Sequence, residues 1–561
     1  MQTSSQAKIE EFTTKGWWSD QSLTRLFEAV VRAAPKRVAL IDAPNRMDFS
    51  YGAQRRLTYE QVFAASNQVA ECLYAAGIRQ GDRVLVQLPN IVELLLVYVA
   101  ISKLGAIISP VPMQYGRHEL CEIIAVLKPR VLVSLTRFKG ENVAKTHHAS
   151  FPDLPIMAFG PDVEDPITVL DDMPTTPVAE AGMAAYTADL KISGNDIYTI
   201  CWTSGTTGRP KGVPRSHNHW FSQSYAVADA VHLNDGDVLL NPFPFVNMAA
   251  ISGFLFVWLF SRGTLVLHHP FDMGVMLKQM QDERVVYTIV PPAALNMLLR
   301  QKDMLAAYDL KNLRTICSGS APLSPVMVKG FKDLLNIDVV NTFGSNEGVS
   351  LVSCAEDVPD PEHRALYFPR FGVEGLTWRN RVAERIRTKL VDPVTHQTVT
   401  ERGHPAELWI KGPNVFDGYL DSPEDNAKVF DAEGYFRSGD MFEIVGDDDP
   451  PRFYRFVGRH KDLIIRGGMN ISPDELDFLL AHHPKVVETA VFGQPDEILG
   501  ERVCVAAVPK HGTELTLEDI KEFLREKGVA IFKWPERLLI VEALPRNPLG
   551  KVLRTELKKM G

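Results

Sequence analysis

The sequence predicts an α/β protein: a large N-terminal domain of mostly parallel sheets flanked by helices, followed by a small C-terminal α+β domain. Three observations carry this. The 561 residues are too many for one hydrophobic core. Apolar strand runs alternate with helix-length apolar runs through residues 81–345. Beyond residue 460 the pattern changes to short helices and strands of a compact α+β type.

Taken in order, "GDRVLVQLPN" (81–90) is a turn followed by a continuous apolar strand. Asn90 is placed to cap "IVELLLVYVAISKLGA", whose apolar density predicts a buried helix. "RVLVSL" (130–135) returns as a strand, which completes a βαβ unit and so a parallel sheet covered on both faces. The pattern recurs at "GTLVLHH" (263–269), "VVYTIVPP" (285–292), "LRTICSGSAPL" (313–323) and "IDVVNTFGS" (337–345). "GDDDPPR" (446–452) is a charged, proline-broken turn. Ser472–Pro473, with acids following, marks a helix start in the small domain. The boundary falls between residues 460 and 461, giving domains 1–460 and 461–561.

A content of 45% apolar and 23% charged residues is that of an ordinary globular protein, and the net charge of -9 argues against a nucleic-acid binder. Residues 1–18 show no export signal, and the longest apolar run, Ala249 to Phe260, is about half of a membrane span. Six scattered cysteines without C-x-x-C spacing fit reduced thiols and a cytoplasmic setting.

The stretch "WTSGTTGRPKGVPRSH" (202–217) is unsuited to a helix or a core. It follows the strand "DIYTICW" (196–202). Its glycines let a backbone approach a ligand, its hydroxyls and amides donate to phosphate oxygens, and Lys211 brings charge. The Walker pattern is absent, because Gly205 and Gly208 are too close together and Gly212 follows Lys211. On composition alone a flexible surface loop fits equally well.

The full string "TSGTTGRPKG" (203–212) resembles the phosphate loop of the adenylate-forming superfamily, which includes acyl- and aryl-CoA ligases. Further blocks similar to that family follow in order: "SGSAPL" (318–323), "NTFGSNEG" (341–348), "YFRSGD" (435–440), "GRHKDLIIRGGMNISPDELD" (458–477) and "PRNPLGKVLR" (545–554). The likeness runs from residue 15 to the end. Within the family, the chain is similar to the branch of dihydroxybenzoate-AMP ligases and ring-carboxylate CoA ligases.

The resemblance implies ATP, Mg2+ and coenzyme A as cofactors, and a carboxylic acid as the small-molecule partner. It assigns the phosphate loop to Thr203, Ser204, Gly205, Thr206, Thr207, Gly208 and Lys211. The nucleotide side falls to Ser320, Ala321, Pro322, Asn341, Thr342, Phe343, Gly344 and Asn346. Glu347 is the implied magnesium ligand, where a carboxylate meets an ion shared with phosphate oxygens. Asp440 and Arg459 are assigned to the ribose, since a carboxylate accepts from two hydroxyls at once. Taken singly, each of these residues also reads as ordinary surface, core or turn. Lys551 is the implied catalytic lysine, entering from a mobile small domain to bridge the substrate carboxylate and the α-phosphate. Lys461 is the implied hinge, and Arg466, Gly467 and Gly468 face the implied CoA channel, although two glycines also read as a turn needing positive φ.

Three positions depart from the family pattern. Phe245 stands where a histidine is common, Asn346 where a threonine is usual, and Leu549 where a small residue precedes Gly550. The acyl pocket implied by the block match is Phe245, Val246, Asn247, Met248, Ile251, Ser318 and Gly319, although Val246 and Met248 read equally as core. These residues carry no cation, which predicts a hydrophobic monocarboxylic acid with an aromatic, alicyclic or medium-chain body. The expected activity is an acid–thiol ligase acting through an acyl-adenylate. The alternatives are a ligase that loads a carrier protein, a luciferase-type oxygenase and a non-catalytic nucleotide-binding homologue; monomer and homodimer both fit.

Overall fold

The computed structural model describes residues 2–162, 165–170, 177–204, 209–320, 322–459, 464–471, 473–545 and 552–560. Two sheets dominate the large domain. The first runs Thr168–Val169, Ile156–Phe159, Val131–Leu135, Arg83–Val86, Ile107–Pro110, Ile197–Ser204, Pro210–Ser216, parallel except for the last strand. The second has eight strands, with parallel pairing from Val38–Ile41 through to Asp338–Gly344 and antiparallel edges at Arg56–Thr58 and Ser350–Ser353.

The apolar run after residue 90 forms the helix Val92–Lys103, and every residue from Val92 to Ser102 is buried. A helix apolar on all faces has no solvent side, so it must lie inside the core. Its one buried acid, Glu93, is paired with Arg46 at 2.6 Å and Arg55 at 2.8 Å, and Arg46 is paired in turn with Asp42. Asn90 does not cap this helix. The N-cap is Ile91, and the Asn90 amide donates instead to the carbonyls of Phe243 (2.7 Å) and His268 (3.3 Å). Carbonyls of segments distant in sequence claim its donors, and the Asp42 carboxylate takes the Val92 N–H at 2.8 Å.

The expectation of mostly parallel sheets omits a third sheet. Residues 367–459 form six antiparallel strands in the order Tyr367–Pro369, Phe453–Arg459, Phe436–Val445, Ala406–Lys411, Arg387–Val391, Thr398–Val399. The small domain pairs Val486–Asp496 with Gly500–Pro509, adds Arg537–Ile540 in parallel, and packs Pro473–Leu480 and Leu517–Glu526 around its own apolar cluster. Proline opens the first of these helices, as the sequence predicts; Ser472 lies outside the described residues. All six cysteines are free thiols, and only Cys121 is exposed. Among the described residues, no helix is long and apolar enough to cross a membrane.

Candidate active site

The stretch 202–217 is described on both sides of residues 205–208, where its two flanking strands pair with each other. Ile197–Ser204 pairs with Pro210–Ser216, matching Thr203 with Lys211 and Ser204 with Pro210. Contrary to the sequence expectation, its second half is core: residues 212–217 are all buried. Pro210 and Pro214 are tolerated because this is an edge strand, where a missing N–H costs no ladder bond. Gly205, Thr206, Thr207, Gly208, Ala321, Lys461 and Lys551 lie outside the described residues, and Ser204 and Arg459 are described by their backbones.

Below the loop, the hairpin docks on residues 417–425. The Leu420 N–H donates to the Gly212 carbonyl at 2.9 Å, and a Cβ on Gly212 would come within 3.1 Å of Ile200 and 3.3 Å of Leu420. This contact brings Tyr419 and Asp425 to Lys211. The Lys211 ammonium is 2.8 Å from Asp425 and 5.0 Å from the centre of the Tyr419 ring. The hydroxyl of the same Tyr419 donates to Glu347 Oε1 at 3.0 Å. Burial, and then the adjacent Glu347 charge, push the Tyr419 phenol up, so it stays protonated and remains a donor. Pairing with Lys211 holds the Asp425 carboxyl below its ordinary value.

Glu347 is buried in a tight turn. Gly348 has φ +105, and a Cβ there would collide with the Asn414 carbonyl. Arg215 underlies this turn. Its guanidinium is fully buried and donates to the carbonyls of Asn346 (2.9 Å), His219 (3.0 Å) and Asn414 (2.6 Å) while stacking on Trp220 at 4.3 Å. Burial lowers its pKa to about 9, which leaves it charged at neutral pH. Asn346 also serves the framework: its Oδ1 accepts from Met248 N at 2.8 Å and its Nδ2 donates to the Trp202 carbonyl at 3.3 Å. The amide in place of a threonine thus joins three segments of the site.

The nucleotide-side residues share two adjacent parallel strands, Thr315–Gly319 and Asp338–Gly344, with Ser318 opposite Asn341 and Gly319 opposite Thr342. The Thr342 hydroxyl donates to the Ser318 carbonyl at 3.1 Å. Ser320 has φ +69, a strained conformation of the kind found at ligand loops, and Pro322 follows two residues later. Phe343 is half-buried, edge-on to Phe442 at 4.9 Å and near Phe456 at 5.7 Å. Asn341, expected from sequence on the nucleotide side, is buried and donates to the carbonyls of Arg364 (3.2 Å) and Ala365 (2.9 Å). Asp440 lies directly across from Arg459 in an antiparallel pair, so the two residues expected at the ribose are neighbours. Gly439, at φ +75, sits within the strand Phe436–Val445 at a register shift against Ala406–Lys411 and donates its N–H to Glu407 at 2.8 Å.

Of the residues expected at the acyl pocket, several carry structural duties. Phe245 is fully buried beside Tyr98, whose hydroxyl donates to the Phe245 carbonyl at 2.6 Å. Asn247 accepts the Ala250 N–H at 3.4 Å and so caps Met248–Ala250. The buried Ser318 hydroxyl donates to Val290, and Ile251 is fully buried in the π-helical segment Ile251–Leu255. Val246 and Met248 are half-buried. A Cβ on Gly344 would collide with the Met248 methyl, and Gln223 donates to the Met248 sulfur at 3.2 Å, so Gly344 makes room for a tethered thioether. In the small domain, Gly467 (φ +55) and Gly468 (φ +80) form a two-residue hairpin turn between Ile464–Arg466 and Met469–Ile471. Arg466 pairs with Glu536 at 2.9 Å.

Tyr419, Asp425 and Arg215 escape sequence reasoning. "DGYLDSPED" (417–425) has turn composition without periodicity, and Arg215 sits in a stretch that reads as loop.

Residues 27–420 match the AMP-binding enzyme family model, and residues 475–551 match that of the AMP-binding enzyme C-terminal domain. The chain is 29% identical to the medium-chain fatty-acid–CoA ligase of Escherichia coli (strain K12), over 98% of this chain and 92% of that protein. It is 29% identical to the 2-hydroxy-7-methoxy-5-methyl-1-naphthoate–CoA ligase of Streptomyces carzinostaticus, over 98% of this chain and 94% of that protein. Its fold is similar to that of the amide bond synthetase McbA from Marinactinospora thermotolerans, with a TM-score of 0.77 at 21% identity, covering 96% of this chain and 99% of that one. The chain belongs to the AMP-binding enzyme family.

Proposed function

We propose that this AMP-forming acyl-CoA ligase activates a hydrophobic monocarboxylic acid with an aromatic, alicyclic or medium-chain body. The carrying observation is the pairing of opposite charges about one phenol. Lys211 lies 5.0 Å from the Tyr419 ring and Glu347 accepts from its hydroxyl at 3.0 Å, both next to the stem of the glycine-rich loop. A cation suits phosphate oxygens. A buried carboxylate suits a hard cation, and the oxygen donor of Glu347 fits Mg2+. Charge neutralisation on the phosphates is the chemistry that such an ion, held by Glu347, supplies.

In the first step the substrate carboxylate oxygen bonds to the α-phosphorus of ATP, the bond to the β-phosphate oxygen breaks, and pyrophosphate leaves. Lys211 and the glycine-rich loop orient the phosphates, Asp440 and Arg459 hold the ribose, and Phe343 lies beside the base. Lys551 bridges the two anions whose repulsion opposes approach. In the second step the CoA sulfur bonds to the acyl carbon, the thiol proton is lost, the acyl–oxygen bond breaks and AMP departs. The small domain turns about Lys461 between steps, and Arg466, Gly467 and Gly468 line the path of the thiol arm. The acid is assigned as uncharged beyond its carboxylate because Phe245, Val246, Met248, Ile251 and Phe343 bring no cation. The medium-chain and naphthoate ligases among the relatives support that choice.

The test is a carboxylic-acid panel with ATP and CoA, read by mass spectrometry for thioesters and AMP. Benzoates, cyclohexane acids or medium-chain acids are expected to react; failure of all three classes refutes the substrate assignment. Lys551→Ala is expected to abolish most adenylate formation and to spare thioester formation from supplied acyl-adenylate. Equal loss of both refutes the role of Lys551.

A further inference from the structure

The small domain rests on the helix Arg117–Leu127 of the large domain through a compact buried ionic cluster. The Lys533 ammonium is 2.7 and 3.0 Å from the two oxygens of Glu475 in its own domain and 3.4 Å from Glu119 across the interface. All three side chains are buried, at 7%, 8% and 3% exposure. Glu119 does double duty: one oxygen accepts the Gly116 N–H at 2.9 Å, and the other accepts the Ala530 N–H of the small domain at 2.9 Å. Tyr115 stacks on Phe532 with ring centres 6.5 Å apart, and a Cβ on Gly116 would collide with the Gly528 carbonyl. Two further groups face the cluster. His118 Nε2 is 3.8 Å from Glu475, and Glu122 presents a carboxylate so that ligand atoms of His118, Glu122 and Glu475 lie within 4.8 Å of one another.

Three carboxylates therefore surround one permanent cation. Burial by itself lowers the Lys533 ammonium, but Glu475 and Glu119 overcome it and raise the group on balance. Burial raises the Glu122 carboxyl, with Glu475 and Glu119 adding to the rise and His118 and Lys533 opposing it. The lysine already supplies the cation such a cluster needs, and removing one member of a buried ionic set leaves the others uncompensated.

We infer that Lys533 is a positioning residue, the pin of an ionic latch with Glu119 and Glu475 that holds the small domain docked on this helix. The inference rests on the two-step reading only in what the latch is for: release must accompany any turn of the small domain. Removing the cation loosens docking, and removing the surplus carboxylate of Glu122 tightens it.

The test compares wild type, K533M, the charge-neutralised triple variant K533M/E119Q/E475Q, and E122Q. Distances between dyes on the two domains are followed by single-molecule fluorescence, alongside separate rates of adenylate and thioester formation. K533M is expected to shift the distance distribution and to change the ratio of the two rates by about tenfold or more. The triple variant is expected to return most of the way to wild type, and E122Q to move the ratio in the opposite direction to K533M. Unchanged distances and ratio in K533M overturn the inference, as do distances shifted in the same direction by K533M and E122Q. If K533M fails to fold, the E122Q and triple-variant results decide alone. The fluorescence readout needs no turnover, so loss of the functional reading, seen as absent pyrophosphate exchange in wild type, is distinguishable from loss of the latch.

Discussion

The Tyr419 hydroxyl donates to Glu347 at 3.0 Å while the Lys211 ammonium lies 5.0 Å from the same ring. One phenol thus separates and orders the two charges expected to meet the triphosphate. It arrives there because Leu420 hydrogen-bonds the edge strand that carries Lys211.

Tyr419→Phe keeps the ring and deletes the donor to a carboxylate. A hydrogen bond to a charged group contributes about 1.5–3 kcal/mol, so pyrophosphate exchange is expected to fall by about 10- to 100-fold as the Glu347 orientation is lost, together with a lowered melting temperature. Unaltered exchange would show that the Glu347 orientation does not depend on this bond.

Arg215→Met removes a buried guanidinium and strands the carbonyls of Asn346, His219 and Asn414. The expected cost is at least about 3 kcal/mol in urea unfolding, with Arg215→Lys a poor rescue, since one ammonium cannot reproduce the planar fork. A lysine variant as stable as wild type would contradict this.

Burial pushes the imidazoles of His217, His219 and His269 down to about 3 and that of His147 to about 4. Their folded values lie below the ordinary histidine value of about 6.5, so the unfolded chain binds more protons in between. This stabilisation is complete above pH about 6.5 and is lost as pH falls toward the folded values. Each group should remove about 1.4 kcal/mol of unfolding free energy between pH 7.5 and 5.5, and His147→Gln should flatten that dependence by one such share. A pH slope unaffected in His147→Gln would count against a neutral buried His147.

Met248→Ala deletes the thioether that Gln223 holds above Gly344. If this side chain bounds the acyl site, kcat/KM for bulky acids relative to small ones should rise by about tenfold, the size of effect that one or two methylene-sized spaces produce. A uniform change across the acid panel would place Met248 outside the acyl site.

Much of the framework was legible in local pattern. The strand at Arg83–Val86, the wholly apolar helix Val92–Lys103 and the parallel strands at Thr264–Leu267, Tyr287–Ile289, Thr315–Gly319 and Asp338–Gly344 follow from apolar runs whose period and length admit one structure. The antiparallel sheet over residues 367–459 was not read, because its short strands alternate weakly and lie between turns. The partners of Asn90 were not legible for a related reason. An amide's role depends on which carbonyls stand within 3 Å or so of it, and those belong to residues far along the chain.

By itself the sequence determined the parallel α/β layers, the change of character after residue 460 and the types of residue in the family blocks, because each depends on neighbours in the chain. Only the tertiary structure decided that Arg215 is a buried hub, that Tyr419 and Asp425 complete the surroundings of Lys211 and Glu347, and that Lys533 meets Glu119. Electrostatic partnership depends on distance and burial, and folding brings together charges 414 positions apart as readily as adjacent ones, as Lys533 and Glu119 show.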